Sequence, residues 1–198
     1  MQGKNVIPQI IVMIFLSTQI CFSQNYTDYK PQYTEWVVYY IVDKIEYTPN
    51  NTIFHFRYIG LNEMNFLGLK HEFRWCLENV ENPDETFYLT DIQNICVNGN
   101  LKIKSIGKRN DFLYQPKKGD EVTCEVYFPR LPKNIQKVHF LEGKTAKGKE
   151  GHFHALYVEL KTFDDPDLGT EYDAIERVIL FRNKILKSPK MQECKARM

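Results

Sequence analysis

The sequence predicts an all-β fold, an antiparallel β-sandwich of about eight strands with one C-terminal helix. Three observations predict it. Aromatic residues are abundant, with 13 Phe, 12 Tyr and 2 Trp, and such side chains suit the half-buried faces of strands. Short runs of period-two alternation recur, broken by clusters of Asn, Gly, Pro and Asp. Helical spacing emerges only near the end, behind Gly169.

In chain order, Trp36–Tyr47 is a long β-prone run, and Thr48-Pro49-Asn50-Asn51 is a turn cluster. Thr52–Ile59 alternates, placing Phe54, Phe56 and Tyr58 on one face and His55 and Arg57 on the other. These two segments read as a hairpin. Further strands are predicted at Leu69–Leu77, Thr86–Val97, Leu101–Ile106, Glu121–Phe128, Gln136–Leu141 and Phe153–Phe163. Asn98-Gly99 between two apolar-rich runs is the strongest short hairpin signal, because both turn positions must accept positive φ. Within Glu121–Phe128, Val122, Cys124, Val126 and Phe128 share a face. Pro129-Arg-Leu-Pro132 ends that strand, since proline lacks the ladder donor.

The helix is expected to start at Thr170-Glu-Tyr-Asp173, a capping box with Asp in its third place. Ile175, Val178, Ile179, Phe181, Arg182 and Ile185 then recur at helical spacing up to Ser188-Pro189.

The chain opens with a polar stretch carrying Lys4, an apolar run that is densest at Ile10–Leu16, and Cys21-Phe22-Ser23. That order reads as a signal peptide over 1–23, cleaved before Gln24. Pro8, Gln9, Ser17, Thr18 and Gln19 interrupt the run, so it falls short of the ~20 apolar residues a spanning helix needs. The expected organisation is signal peptide 1–23, polar leader 24–34, β-sandwich domain with its helix 35–188, and tail 189–198. The expected location is periplasmic or extracellular, with no stable membrane insertion after cleavage. A net charge of +1 supplies no general attraction to nucleic acid.

Cleavage leaves Cys76, Cys96, Cys124 and Cys194, and four cysteines in an oxidising compartment allow three full pairings. Cys76 and Cys96 lie on consecutive predicted strands and are the first candidates for a bridge. The alternative is buried free thiols behaving as small hydrophobes.

Several stretches together resemble a β-rich, immunoglobulin-like extracytoplasmic domain of exported Bacteroidota proteins. They are Thr52–Tyr58, Phe87–Asn94, Gly119–Pro132, Val138–Gly143, His152–Phe163 and Leu168-Gly169-Thr170. The resemblance covers about residues 36–185. It implies a sandwich scaffold that often stands beside caspase-like or thioredoxin-like modules, and it implies no catalytic activity of its own.

Chemistry-bearing residues are sparse. His152 and His154 are two apart on a predicted strand and so face one way, and His139 on the neighbouring strand could complete a metal site. The run from Asp164 to Asp173 clusters carboxylates around Gly169, but its spacing departs from a calcium loop, and acids there also suit a helix N-terminus. Cys124 with His139 or His152, oriented by Asp120, could be drawn as a nucleophile pair, although an enclosed strand cysteine is a poor nucleophile. No nucleophile elbow, zinc-protease helix or phosphate loop occurs.

The expectation is therefore a non-enzymatic envelope module without a cofactor, binding a protein or a glycan. The loops 62–68, 108–118, 143–151 and 164–170 are its expected working surface. The alternatives are a structural or stress-linked envelope protein without a dedicated ligand, or a metal-dependent hydrolase.

Overall fold

A computed structural model describes residues 24–35, 39–60, 73–107, 115, 117, 119–147 and 152–187. The predicted signal peptide, the loop 62–68, most of 108–118, part of 143–151, and the tail with Cys194 lie outside the described residues.

The described chain forms two antiparallel sheets and one helix. In chain order the strands are β1 (Tyr26–Asp28), β2 (Thr34–Glu35), β3 (Tyr40–Tyr47), β4 (Asn51–Ile59), β5 (Cys76–Asn79), β6 (Thr86–Tyr88) and β7 (Asp91–Val97). They continue with β8 (Asn100–Ser105), β9 (Glu121–Pro129), β10 (Lys137–Leu141) and β11 (His154–Glu159), before helix α1 (Glu171–Leu186). One sheet runs β1-β3-β4-β9-β7-β8 and the other β2-β11-β10-β5-β6.

The strand-dominated sandwich matches the expectation, and three details differ from it. The polar leader holds β1 and β2, which pair with β3 and β11. Strands of three and two residues are too short for alternation to register. The run Thr86–Val97 splits at Leu89 and Thr90, so that β6 joins one sheet and β7 the other. Strand formation in β3 and β5 begins at Tyr40 and Cys76 among the described residues.

The core lies between the sheets and is aromatic. Phe54, Phe56 and Tyr58 face inward together with Val122, Cys124, Val126 and Phe128. Phe140 packs edge-on against Phe128 (centroids 5.6 Å), Trp75 (5.6 Å) and Phe153 (4.8 Å). Such ring geometries add roughly 0.5–1.5 kcal/mol per pair to the burial itself. The β7–β8 hairpin turns at Asn98 (φ 50°) and Gly99 (φ 78°), the two left-handed positions its turn type requires.

Cys76 and Cys96 stand on different sheets, in β5 and β7, and Cys76, Cys96 and Cys124 are free thiols. The expected Cys76–Cys96 bridge is therefore absent. Consecutive predicted strands suggested proximity, but the intervening segment crosses from one sheet to the other.

Candidate functional site

Helix α1 begins as the sequence predicted. The Asp173 carboxylate accepts the Thr170 backbone N–H at 2.7 Å and the Thr170 hydroxyl at 2.8 Å. These bonds, with Lys30 nearby, hold the Asp173 carboxyl below its usual range. The helix lies on the outer face of the six-stranded sheet, where Phe181 and Ile185 are buried against Ile41 and Ile59.

A β-bulge prepares the ground beneath it. The β3–β4 register shifts between Val42 and Lys44, leaving Asp43 as the extra residue. Its carboxylate takes Arg57 Nη2 at 2.6 Å and Nε at 3.0 Å. Arg57 Nη1 donates to Glu121, and Glu121 also receives Arg182 of α1 through two bonds of 2.7 Å. The Arg182 hydrogen bonds, reinforced by Arg57, hold the Glu121 carboxyl below its usual range, whereas burial pushes Asp43 up. This chain of forked ion pairs ties the helix to β3, β4 and β9.

The opposite face of the helix has no such cover among the described residues. Five of the eight exposed large hydrophobic residues of the described chain are on α1: Tyr172 (72% exposed), Ile175 (53%), Ile179 (50%), Leu180 (62%) and Leu186 (51%). Scattered singly, such residues would need no explanation, but here they are concentrated on one element and form an exposed apolar face. Grooves flank the helix on both sides. One, of about 310 Å³, is walled by Tyr29, Asp43, Arg57, Ile175, Val178 and Ile179, with Arg182 at its edge. The other, of about 350 Å³, lies among Lys30, Ile41, Asp173, Arg177, Leu180 and Lys184. The sequence shows Ile175, Val178, Ile179, Phe181, Arg182 and Ile185 recurring at helical spacing, without separating Ile175 and Ile179 from Phe181 and Ile185. The structure divides them, and the available signal was the width of the apolar arc once Tyr172, Leu180 and Leu186 are included.

The three histidines singled out as metal ligands have separate surroundings. His139 is buried on β10, where its Nδ1 accepts the backbone N–H of Tyr157 at 3.1 Å. That N–H is free of the ladder because Tyr157 sits at a bulge with φ 55°. Burial lowers the His139 pKa. His152 stands just before β11, its Nδ1 3.4 Å from Glu142 Oε2 and its ring stacked on Phe73. His154 is buried on β11 in register with Leu141. Among the described residues no three His, Cys, Asp or Glu side chains group as metal ligands would.

The other constellations are also apart. Cys124 lies in the core with its thiol pushed well above the usual range by burial, while His139 belongs to the other sheet. Asp120 accepts Asn98 Nδ2 at 2.9 Å and the Lys117 N–H at 2.8 Å. In the acidic run, Asp167 pairs with Lys30 and Asp173 caps the helix.

One feature escaped sequence reasoning altogether. Tyr26 and Tyr47 stack at 4.4 Å, with the Arg130 guanidinium 5.3 and 5.0 Å from their ring centres. Beside them Gln24, Lys133, Thr162, Phe163 and Asp164 help to wall a pocket of about 450 Å³. Its parts come from β1, the corner after β9 and the segment after β11, so no local pattern connects them.

The architecture defines the class: a two-sheet antiparallel β-sandwich carrying one helix on the outer face of its larger sheet. No family model matches the chain, and no curated protein or solved structure matches it either.

Proposed function

We propose that this chain is an exported, non-enzymatic β-sandwich module for protein interaction in the cell envelope, docking its partner on the outer face of α1. The observation that carries this reading is the run of half- to three-quarters-exposed apolar side chains on a helix whose other face is already packed and salt-bridged. A rigid helix presenting spaced apolar anchors is a common way to recognise another protein. Export is supported by the signal-like order of residues 1–23. Among the described residues no helix is long and apolar enough to cross a membrane.

In-cell photo-crosslinking tests the reading. A photoreactive residue at position 179 should give a discrete adduct. The same residue at position 157, exposed on the other sheet, should give none. No adduct at 179, or the same adduct at both, removes the proposal.

A glycan ligand is the second reading, favoured by the pocket at Tyr26, Phe163, Arg130 and Lys133. Aromatic faces with two cations suit an acidic sugar. Calorimetry with a uronic-acid oligosaccharide should show binding that Phe163→Ala weakens, and no heat from the unmodified chain ends this reading.

A further inference from the structure

We propose that the partner seated on α1 is a second copy of this chain, held by antiparallel packing of the two helices across a twofold axis. The inference rests on the docking reading above and deepens it.

Helix α1 is complementary to a reversed copy of itself. Tyr172, Ile175, Ile179 and Leu186 follow one another at three-, four- and seven-residue steps, so they form a seam along the helix. All four are at least half exposed. Charge is divided along the same element: Glu171, Asp173 and Glu176 lie in its first half, and Arg182, Lys184 and the capping residue Lys187 at its second end. Arg177, the cation in the first half, is turned inward to donate to the Pro31 carbonyl. Parallel copies would set acid beside acid and base beside base. Antiparallel copies set each acidic half against a basic half, and a twofold axis makes that match twice.

The register follows from the seam. Ile179 is its midpoint, so copies crossing there place Tyr172 of one over Leu186 of the other. Glu171 is carried toward Lys187 of the second copy, and Glu176 toward its Arg182. The flanking grooves, of about 310 and 350 Å³, give room for side chains of the opposing helix. The bidentate Arg182–Glu121 pair keeps the helix from rolling as they enter. An isologous contact of this kind closes after two copies and leaves no open surface for further growth.

Sedimentation velocity on the purified full chain over a wide concentration range is the test. A reversible monomer–dimer equilibrium is expected. Ile179→Glu, which sets two like charges together at the crossing, should raise the dissociation constant roughly tenfold or more. Ile179 is half exposed, so thermal unfolding of that variant at low concentration should match the unmodified chain and confirm that it folds. Glu171→Lys alone should weaken the dimer, and adding Lys187→Glu, the residue it faces in this register, should restore it. A chain that stays monomeric throughout, a dimer that Ile179→Glu leaves intact, or a charge swap that restores nothing overturns the proposal. A monomer whose position 179 still crosslinks to a different protein overturns this inference and leaves the docking reading standing. A monomer without any adduct ends both.

Discussion

Lys161→Met should cost this fold about 3 kcal/mol, because it removes the cation from a buried ion pair. The Lys161 ammonium is almost fully enclosed, and the Asp28 carboxylate is wholly so. Its Nζ donates to Asp28 Oδ1 at 3.0 Å, the Lys30 carbonyl at 2.9 Å and the Asp167 carbonyl at 2.6 Å. All three ammonium donors are thereby used, and β1 and the loop before α1 are fastened to the end of β11. Methionine keeps most of the volume and supplies none of these bonds. Asp28 would be left with the Lys30 N–H at 2.9 Å as its remaining donor.

Breaking a buried pair from one side costs roughly 3–5 kcal/mol. The lower figure applies because burial already raises the Asp28 pKa, so the orphaned carboxyl can escape part of the penalty by taking a proton. Thermal unfolding should therefore shift down by roughly 6–12 °C, at 2–4 °C per kcal/mol for a chain of this size. Asp28→Asn in the same background removes the orphaned charge, so the double variant should be more stable than Lys161→Met alone. The loss should also shrink in acid, where the carboxyl is neutral. A shift of under about 2 °C, or single-variant effects that simply add, would refute this account of the Asp28–Lys161 pair.

Three further outcomes are expected. Hydrogen bonding from His55, with Lys44 beside it, holds the Glu46 carboxyl down to about 2 from 4.5. Its stabilisation is thus fully present above pH 4.5 and is lost as pH falls toward 2. Glu46→Gln should lower the urea midpoint at pH 7 and make no difference near pH 2, and an equal effect at both contradicts the assignment. Buried His139 acts in the same direction. Its folded pKa lies below 6.5, so the unfolded chain takes the proton first and stability declines as pH drops below that value. For the thiols, a maleimide pulse on the native chain followed by peptide mass analysis should modify half-buried Cys96 and spare Cys76 and Cys124. Burial raises both of the latter pKa values, Cys76 to about 12. Rapid native labelling of Cys124 would contradict its place in the core.

Much of the sandwich was legible because a half-buried strand writes its two faces as alternation. Phe54, Phe56 and Tyr58, and Val122, Cys124, Val126 and Phe128, turn inward as that pattern requires. The turn at Asn98-Gly99 and the cap at Thr170 and Asp173 were legible for the same local reason, since each needs particular residues within four positions. The leader was not. Its strands are too short to show a period, and β1 is fastened by Lys161 and β2 by β11, both more than a hundred residues away.

The histidine spacing illustrates the limit most plainly. His152 and His154 are near in sequence, yet one lies before β11 beside Glu142 and the other is within the strand opposite Leu141. A bulge at Tyr157 then turns a backbone N–H, with no ladder partner to meet, onto His139. Bulges shift register by one residue and so redirect whatever follows, without leaving a mark in composition. The same device placed Asp43 against Arg57 and built the floor beneath α1.

By itself the sequence determined the class of fold, the faces of its long strands, its turns and the start of its helix, because each depends on neighbours a few residues apart. Tertiary structure alone decided which sheet each strand joins, which of the helix's two apolar sides is covered, and which charges meet. Those outcomes depend on residues brought together from distant parts of the chain. The open side of α1 is one of them: Phe181 and Ile185 find Ile41 and Ile59, and what remains facing outward follows from that choice.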